Sequence, residues 1–137
     1  MTLSNDWIVG FVDGEGCFSF SVIKNDGLRF GFQIQGEFTV VQHKREIQLL
    51  HKLKDHFKCG SVAINHGDRY HWRVKNLNDF LNIIIPYFEK YTLQTCKKFQ
   101  LPVFKDICLR LQAKQHLTQT GFDEVKELVK KLSNLKK

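Results

Sequence analysis

Residues Trp7 to Gly16, Trp-Ile-Val-Gly-Phe-Val-Asp-Gly-Glu-Gly, constrain this chain more than any other stretch. They read as a short apolar helix that ends in two carboxylates and two glycines. Ser4, Asn5 and Asp6 supply N-cap chemistry, and Asp6 complements the positive end of the helix dipole. Gly10 and Gly14 lie four residues apart, so they share a face and leave room there for a second backbone. The far end is electrostatically awkward. Asp13 and Glu15 put negative charge where the dipole is already negative and the last carbonyls lack helical donors. A hard divalent ion would relieve this, because a carboxylate and a free backbone carbonyl are the oxygen ligands it takes. A helix with a glycine stop and a solvated acidic turn is the plainer reading, and physics alone leaves both open.

The periodicity downstream predicts the rest of the architecture. Cys17 to Lys24 alternates as a strand, with Phe18, Phe20 and Val22 on one face and Ser19, Ser21 and Ile23 on the other. Asn25-Asp26-Gly27 predicts a tight hairpin turn. Leu28 to Val41 alternates again: Phe30, Phe32, Ile34, Phe38 and Val40 face one way, and Arg29, Gln33, Gln35, Glu37 and Thr39 the other. Gly31 and Gly36 are bend or bulge points in this long strand. His43 to Phe57 has helical period through Ile47, Leu50, Leu53 and Phe57 and stops at Cys59-Gly60. A second hairpin follows, from Ser61 to Asn65 and Arg69 to Lys75, across His66-Gly67-Asp68. Here Val62, Ile64, Tyr70, Trp72 and Val74 point to the core, and Asn65, Arg69, His71, Arg73 and Lys75 point away. Asn76 caps a third helix that Pro86 breaks or kinks near its end.

Two more helices complete the chain. One runs roughly over 95–114 with a kink at Pro102. The last opens at Thr118 to Thr120 and carries Phe122, Val125, Leu128, Val129 and Leu132 as its apolar stripe, with Lys136-Lys137 expected to fray. The order α-β-β-α-β-β-α plus two trailing helices predicts one α+β domain over 1–137. Its curved, four-stranded antiparallel sheet carries the helices on one face.

Length and content agree with a packed domain: 137 residues, 42 % of them hydrophobic, with twelve Phe and two Trp. The four cysteines, Cys17, Cys59, Cys96 and Cys108, form no Cys-x-x-Cys pair and have no His at ligand spacing, so they read as free thiols rather than a zinc site. With no signal peptide and no run as long as a membrane span, the chain is expected to be soluble, intracellular and without membrane partners.

The formal net charge of +7 suggests an anionic partner. Its distribution is more specific. If the Phe-rich faces pack on the helices, the opposite face exposes Ser19, Ser21, Lys24, Arg29, Gln33, Gln35, Asn65, Arg69, His71, Arg73 and Lys75, with Glu37 as the only outward acid. A merely solvated sheet would mix charge signs. Arg and Gln instead offer bidentate hydrogen bonds to guanine and adenine edges, which points to double-stranded DNA. Lys24 and the flanking lysines suit phosphates.

The opening stretch also resembles a known family. Ile8 to Gly16 is similar to the motif of the LAGLIDADG homing endonucleases, with Gly10-Phe11-Val12-Asp13-Gly14-Glu15-Gly16 matching position by position. Ile8 and Val9 stand in place of Leu-Ala, and Glu15 replaces the final Asp, a substitution the family uses. The family's core repeat is αββαββα, the order read above from periodicity. Phe38-Thr39-Val40-Val41-Gln42-His43-Lys44 resembles the end of its long second strand. Leu93-Gln94-Thr95-Cys96-Lys97-Lys98-Phe99, followed by Val103-Phe104-Lys105, resembles its Thr-x-Lys segment. Ala113-Lys114-Gln115-His116-Leu117-Thr118 looks like the lysine-histidine-leucine-threonine stretch of fungal members.

This resemblance implies a metal-dependent DNA endonuclease that makes a staggered double-strand cut in a long, roughly palindromic site. Glu15 and the Gly14 carbonyl would hold Mg2+, with Mn2+ able to substitute. Gln42 would orient water, and Lys97, or Lys98 if the alignment slips by one, would stabilise developing charge. Without the resemblance Lys97 reads as a solvated helix lysine. Asp13 reads as a structural cap, the alternative being a place just outside the metal's own ligands. One motif implies a homodimer across the face carrying Trp7, Gly10, Phe11 and Gly14. It also implies an intron-encoded protein of a mitochondrion, chloroplast or microbial cytoplasm. The competing reading is a non-cleaving nucleic-acid-binding protein of the same fold, an intron RNA maturase or a transcription regulator.

Overall fold

The structure, a computed structural model, describes residues 2–136. Helix α1 (Asn5–Glu15) passes directly into strand β1 (Gly16–Lys24). Ser4 is its N-cap, the hydroxyl accepting from the Trp7 amide at 3.2 Å. Gly16 ends the helix in extended backbone. A Cβ there would lie 2.7 Å from Val12 Cγ1, so the junction needs the space that glycine leaves. Strand β2 (Phe32–His43) pairs antiparallel with β1 and is followed by one 3-10 turn and helix α2 (Ile47–Phe57). β3 (Ser61–His66) and β4 (Arg69–Val74) form the second hairpin, and β4 docks against β2 to give the order β1-β2-β4-β3.

The third helical region is continuous rather than broken at Pro86. It runs through α3 (Leu77–Asp79), a π-helical stretch Phe80–Ile84 and α4 (Ile85–Lys90), capped by the Asn76 side chain on the Asn78 and Asp79 amides. Pro86 has no N–H for the usual i→i−4 bond. The wider turn absorbs this, with the Ile85 N–H reaching the Phe80 carbonyl five residues back. Helix α5 (Lys97–Gln112) contains Pro102 and still runs its full length. Helix α6 (Gln119–Asn134) is capped by Thr118, whose hydroxyl accepts from Gly121. Lys136 lies in the turn after α6, and Lys137 lies outside the described residues.

The first hairpin differs from its expected form. Asp26-Gly27 is not a two-residue connection, and β2 begins at Phe32 rather than Leu28. Residues 25–31 close a longer turn through Asn25 N–H to the Gly31 carbonyl (2.8 Å), with Gly31 at φ +76°. The Leu28-x-Phe30-x-Phe32 alternation imitated a strand. Phe30 instead packs on Phe122 of α6 at 5.2 Å between ring centroids.

The core forms on one face of the sheet. Phe18, Phe38 and Trp72 run across β1, β2 and β4, with centroids 4.7 and 5.6 Å apart along that row. Phe57 of α2, Phe88 of α4 and Phe104 of α5 close over them. Each fully buried side chain of this size contributes roughly 1.5–3 kcal/mol. Half-exposed surface pairs such as Arg73–Glu37 contribute about 0–1 kcal/mol. The aromatic layer therefore dominates stability.

Gly60 tests that layer. Its φ is +82°, and a Cβ would lie 2.6 Å from Trp72 Nε1, the indole nitrogen that donates to the Cys59 carbonyl at 2.9 Å. Gly60→Ala is expected to cost about 2 kcal/mol or more in urea unfolding. A change within 0.5 kcal/mol would show that the loop before β3 relaxes without disturbing Trp72.

Candidate active site and nucleic-acid face

The end of α1 is held by a clamp built on Asp13. Its carboxylate accepts from the amides of Gln94 (2.9 Å) and Thr95 (3.0 Å) and from the Thr95 hydroxyl (2.7 Å). Its backbone carbonyl accepts from Lys97 Nζ at 2.7 Å. Asp13 thus ties residues 94–97, the entry to α5, to the last turn of α1. Burial alone would raise the Asp13 pKa. The Thr95 hydroxyl, the Gln94 and Thr95 amides and the Lys97 charge outweigh it and hold the carboxyl below its ordinary value.

Glu15 is the opposite case. It is the last residue of α1, it is exposed, and its carboxylate takes no hydrogen bond from any described residue. The two acids of the stretch are therefore separated by function: one is bound within the fold and the other is available. Gln42 lies at the same end of the sheet. Gly16, the first residue of β1, pairs with Val40, so Gln42 lies two positions past that pair, at the end of the sheet where α1 joins β1, and pairs on its other side with Tyr70. Its parity is that of Phe38 and Val40, so it emerges at the helix side of the sheet end. Among the described residues no three His, Cys, Asp or Glu side chains converge on one point. One chain thus offers an oxygen site with a single free carboxylate.

The opposite face of α1 is equally telling. A Cβ at Gly10 or Gly14 would meet nothing within 4 Å, and neither has positive φ, so this chain's own packing requires neither glycine. Trp7, 41 % exposed, stacks on Phe11 of the same face at 4.8 Å.

The outer face of the sheet carries most of the expected polar row. Ser19 stands opposite Glu37, Ser21 opposite Gln35, and Arg73 between Thr39 and Ser61; Gln33, Arg69 and Asn65 complete it. Four expectations change. His71 is on this face but only 6 % exposed, beneath Asn65, whose Oδ1 lies 3.1 Å from His71 Nδ1. Burial and the Arg73 guanidinium hold its pKa below the ordinary value, against Glu37. Arg29 lies in the 25–31 turn, and its guanidinium turns to the Leu117 carbonyl at 3.5 Å. Lys24 closes β1 at a position with core parity, at the tip rather than on the face. Lys75 lies one residue past β4. Ile23, Thr39, Val41, Ser61 and Ala63 share the face beyond the expected residues, and strict alternation in the sequence marks Ile23 and Thr39.

A model of the LAGLIDADG endonuclease family matches residues 8–108, most of the chain. The chain belongs to that family. It is 33 % identical over 127 residues to a probable intron-encoded endonuclease 2 of Neurospora crassa, covering 91 % of this chain and 28 % of that one. It is 24 % identical to the DNA endonuclease I-CvuI of Chlorella vulgaris, covering 94 % and 91 %. The chain spans only 28 % and 26 % of the first two curated relatives. Among solved structures it superposes on the homing endonuclease I-TnaI with a TM-score of 0.89, 37 % identity and coverage of 98 % and 97 %. It matches the LAGLIDADG homing endonuclease I-SmaMI bound to cleaved DNA with a TM-score of 0.89, 32 % identity and coverage of 93 % and 43 %.

The clamp predicts a pH dependence. A carboxylate whose folded-state pKa is depressed adds stability that is fully present above its unfolded value, about 4, and is lost as pH falls through the folded value. Asp13→Asn is therefore expected to be less stable than wild type at pH 7, with the gap closing as pH falls below about 4 in urea unfolding. A gap of constant size would mean that the hydrogen bonds, without the charge, carry the clamp.

Proposed function

We propose that this chain is a site-specific homing endonuclease that cuts both strands of a duplex DNA site, with a staggered product, by metal-dependent hydrolysis in a homodimer. The observation that carries the reading is the division of labour at the end of α1: Asp13 is consumed by the fold and tied to Lys97, and Glu15 is left without a hydrogen-bond partner among the described residues, at the end of the sheet that carries Gln42. Family membership gives that arrangement its chemical meaning. Crystal structures of I-SmaMI include complexes with cleaved DNA and with an uncleaved DNA target in the presence of calcium ions, which supports DNA as the partner here.

A hard divalent cation fits the donors present, with Glu15 and the Gly14 carbonyl as this chain's ligands. The rest of its coordination would come from water, phosphate and the second copy. Bound there, Mg2+ or Mn2+ would lower the pKa of water and offset charge on the phosphate. Gln42 would orient the attacking water. Lys97 uses one of its three N–H donors on the Asp13 carbonyl, leaving two for the developing negative charge on the phosphate. The open Gly10/Gly14 face with its Trp7–Phe11 stack would be the dimer contact. Two-fold symmetry would then double the reading face and match a roughly palindromic site. Relatives named as intron-encoded support an intron-encoded origin, and with it a mitochondrial, chloroplast or microbial setting. No described helix is long and apolar enough to cross a membrane.

The deciding experiment compares wild type with Glu15→Gln on the uninterrupted allele of the host locus, in magnesium and in calcium. Expected are a staggered double-strand cut by wild type in magnesium, none by the variant, and binding by both in calcium. Binding without cutting by wild type would favour the non-cleaving reading, and preference for structured RNA would favour a maturase. Lys97→Ala is expected to slow cutting by about 10²–10³-fold with little change in calcium-supported binding.

The glycine face has its own test. Gly10→Ala, at an open helical position, is expected to raise the stability of the fold by about 0.5–1 kcal/mol. Gly10→Val is expected to shift the sedimentation mass from twice 16.1 kDa towards 16.1 kDa. A wild-type monomer at micromolar concentration would exclude the homodimer.

A further inference from the structure

The outer face of the sheet has one exposed large apolar residue among its polar ones: Ile23, 46 % exposed. A single exposed Ile is unremarkable by itself. Its partner makes it informative. Ile23 is the direct cross-strand neighbour of Gln33, so their Cβ atoms stand about 4.5–5.5 Å apart on the same face.

The two glutamines of β2 are not equivalent. Gln35 commits its amide N–H to the Gly36 carbonyl at 2.9 Å, and its cross-strand neighbour is Ser21. Gln33 is exposed, and its only side-chain bond is a long one of 3.5 Å to Gln35 Oε1, which is readily given up. Gln33 therefore keeps both the donor and the acceptor that a bidentate contact to adenine N7 and N6 requires. The thymine paired with that adenine presents its C5-methyl in the same groove, and a branched aliphatic side chain is a suitable surface for it.

Resting on the endonuclease reading above, we infer that Ile23 and Gln33 act as one cross-strand unit that recognises an A·T base pair, Gln33 reading the adenine edge and Ile23 covering the thymine methyl. Ser21 and Gln35, one row further in, lack the apolar surface, and Gln35 already holds one of its two amide N–H groups on the Gly36 carbonyl. The unit at the hairpin tip thus sets a specificity that the neighbouring row does not share.

The test uses the duplex that wild type binds most tightly in calcium, selected from a randomised library. Each thymine is replaced in turn by uracil, which removes only the methyl, and binding is followed by fluorescence anisotropy. At one thymine per half-site, wild type and Ile23→Val are expected to bind the uracil duplex about fourfold more weakly, the value of one buried methyl. Ile23→Ser, at an exposed position that leaves the core untouched, is expected to bind both duplexes equally. At the same base pair, exchange of A·T for G·C is expected to weaken wild type by about tenfold or more and Gln33→Ala much less. Equal binding of thymine and uracil at every position by wild type would overturn the inference while leaving the endonuclease reading intact. So would a uracil penalty that persists in Ile23→Ser. Failure of wild type to enrich any duplex would overturn the endonuclease reading itself, and the inference with it.

Discussion

The Asp13 clamp is the interaction on which the rest of the site depends. α1 runs into β1 without a connecting residue, so the orientation of its last turn is set by the sheet on one side. On the other side it is set by Gln94, Thr95 and Lys97 binding both the carboxylate and the carbonyl of Asp13. Those contacts join residues more than eighty positions apart. They bring the entry of α5 to the motif and compensate one of two acids at a helix end where negative charge is disfavoured. Glu15 has no hydrogen-bond or ion-pair partner among the described residues. A carboxylate left without a partner at a pinned helix end is the donor that the proposed cation would use.

The order of elements and the identity of the core were legible because the signals are local and periodic. Phe18, Phe20, Phe38, Val40, Trp72 and Val74 alternate cleanly, and all are buried. Asn76 was legible as a cap, and Thr118 to Thr120 as the opening of the last helix, because capping side chains act within three residues. Family resemblance made Glu15, Gln42 and Lys97 worth naming, since nothing local distinguishes Lys97 from a solvated lysine. What escaped was non-local. Phe30 leaves the strand because Phe122 of α6 offers it a ring to pack on. His71 obeys its alternation and is still buried, because the bulge between Ile64 and His66 brings Asn65 over it. Pro86 signals a disruption, but whether the chain breaks or widens into a π turn depends on what packs around Phe80 and Ile84, both buried.

The open glycines show the limit of intrachain reasoning. Gly16 and Gly36 are explained from within: a Cβ at Gly16 strikes Val12, and one at Gly36 would lie 2.7 Å from the Phe20 ring. Gly10 and Gly14 have no such neighbour, and each lowers helix stability by about 1 kcal/mol relative to alanine. With a stacked Trp7–Phe11 pair exposed on the same face, the cost is understandable if that face is covered by something outside the chain. The proposed homodimer supplies a cover that also brings the two Glu15 carboxylates together.

On the proposed function, the two faces of the sheet divide stability from recognition. The inner face carries the aromatic layer, where truncating one ring costs about 3–5 kcal/mol. Exposed outer-face positions such as Ser21, Ile23, Gln33 and Arg69 make few contacts, and changes there usually fall within about 0.5 kcal/mol. A protein that reads DNA as proposed would gain from this separation, because residues on that face can change without threatening the fold. His71 is the exception. It lies on the reading face yet is buried, held by Asn65 and bordered by Arg73 and Glu37. A substitution at His71 therefore acts on stability and on the positions of Asn65 and Arg73 together. The centre of the outer face, at His71, is packed into the fold, and the hairpin end around Ile23 and Gln33 is exposed and makes few contacts.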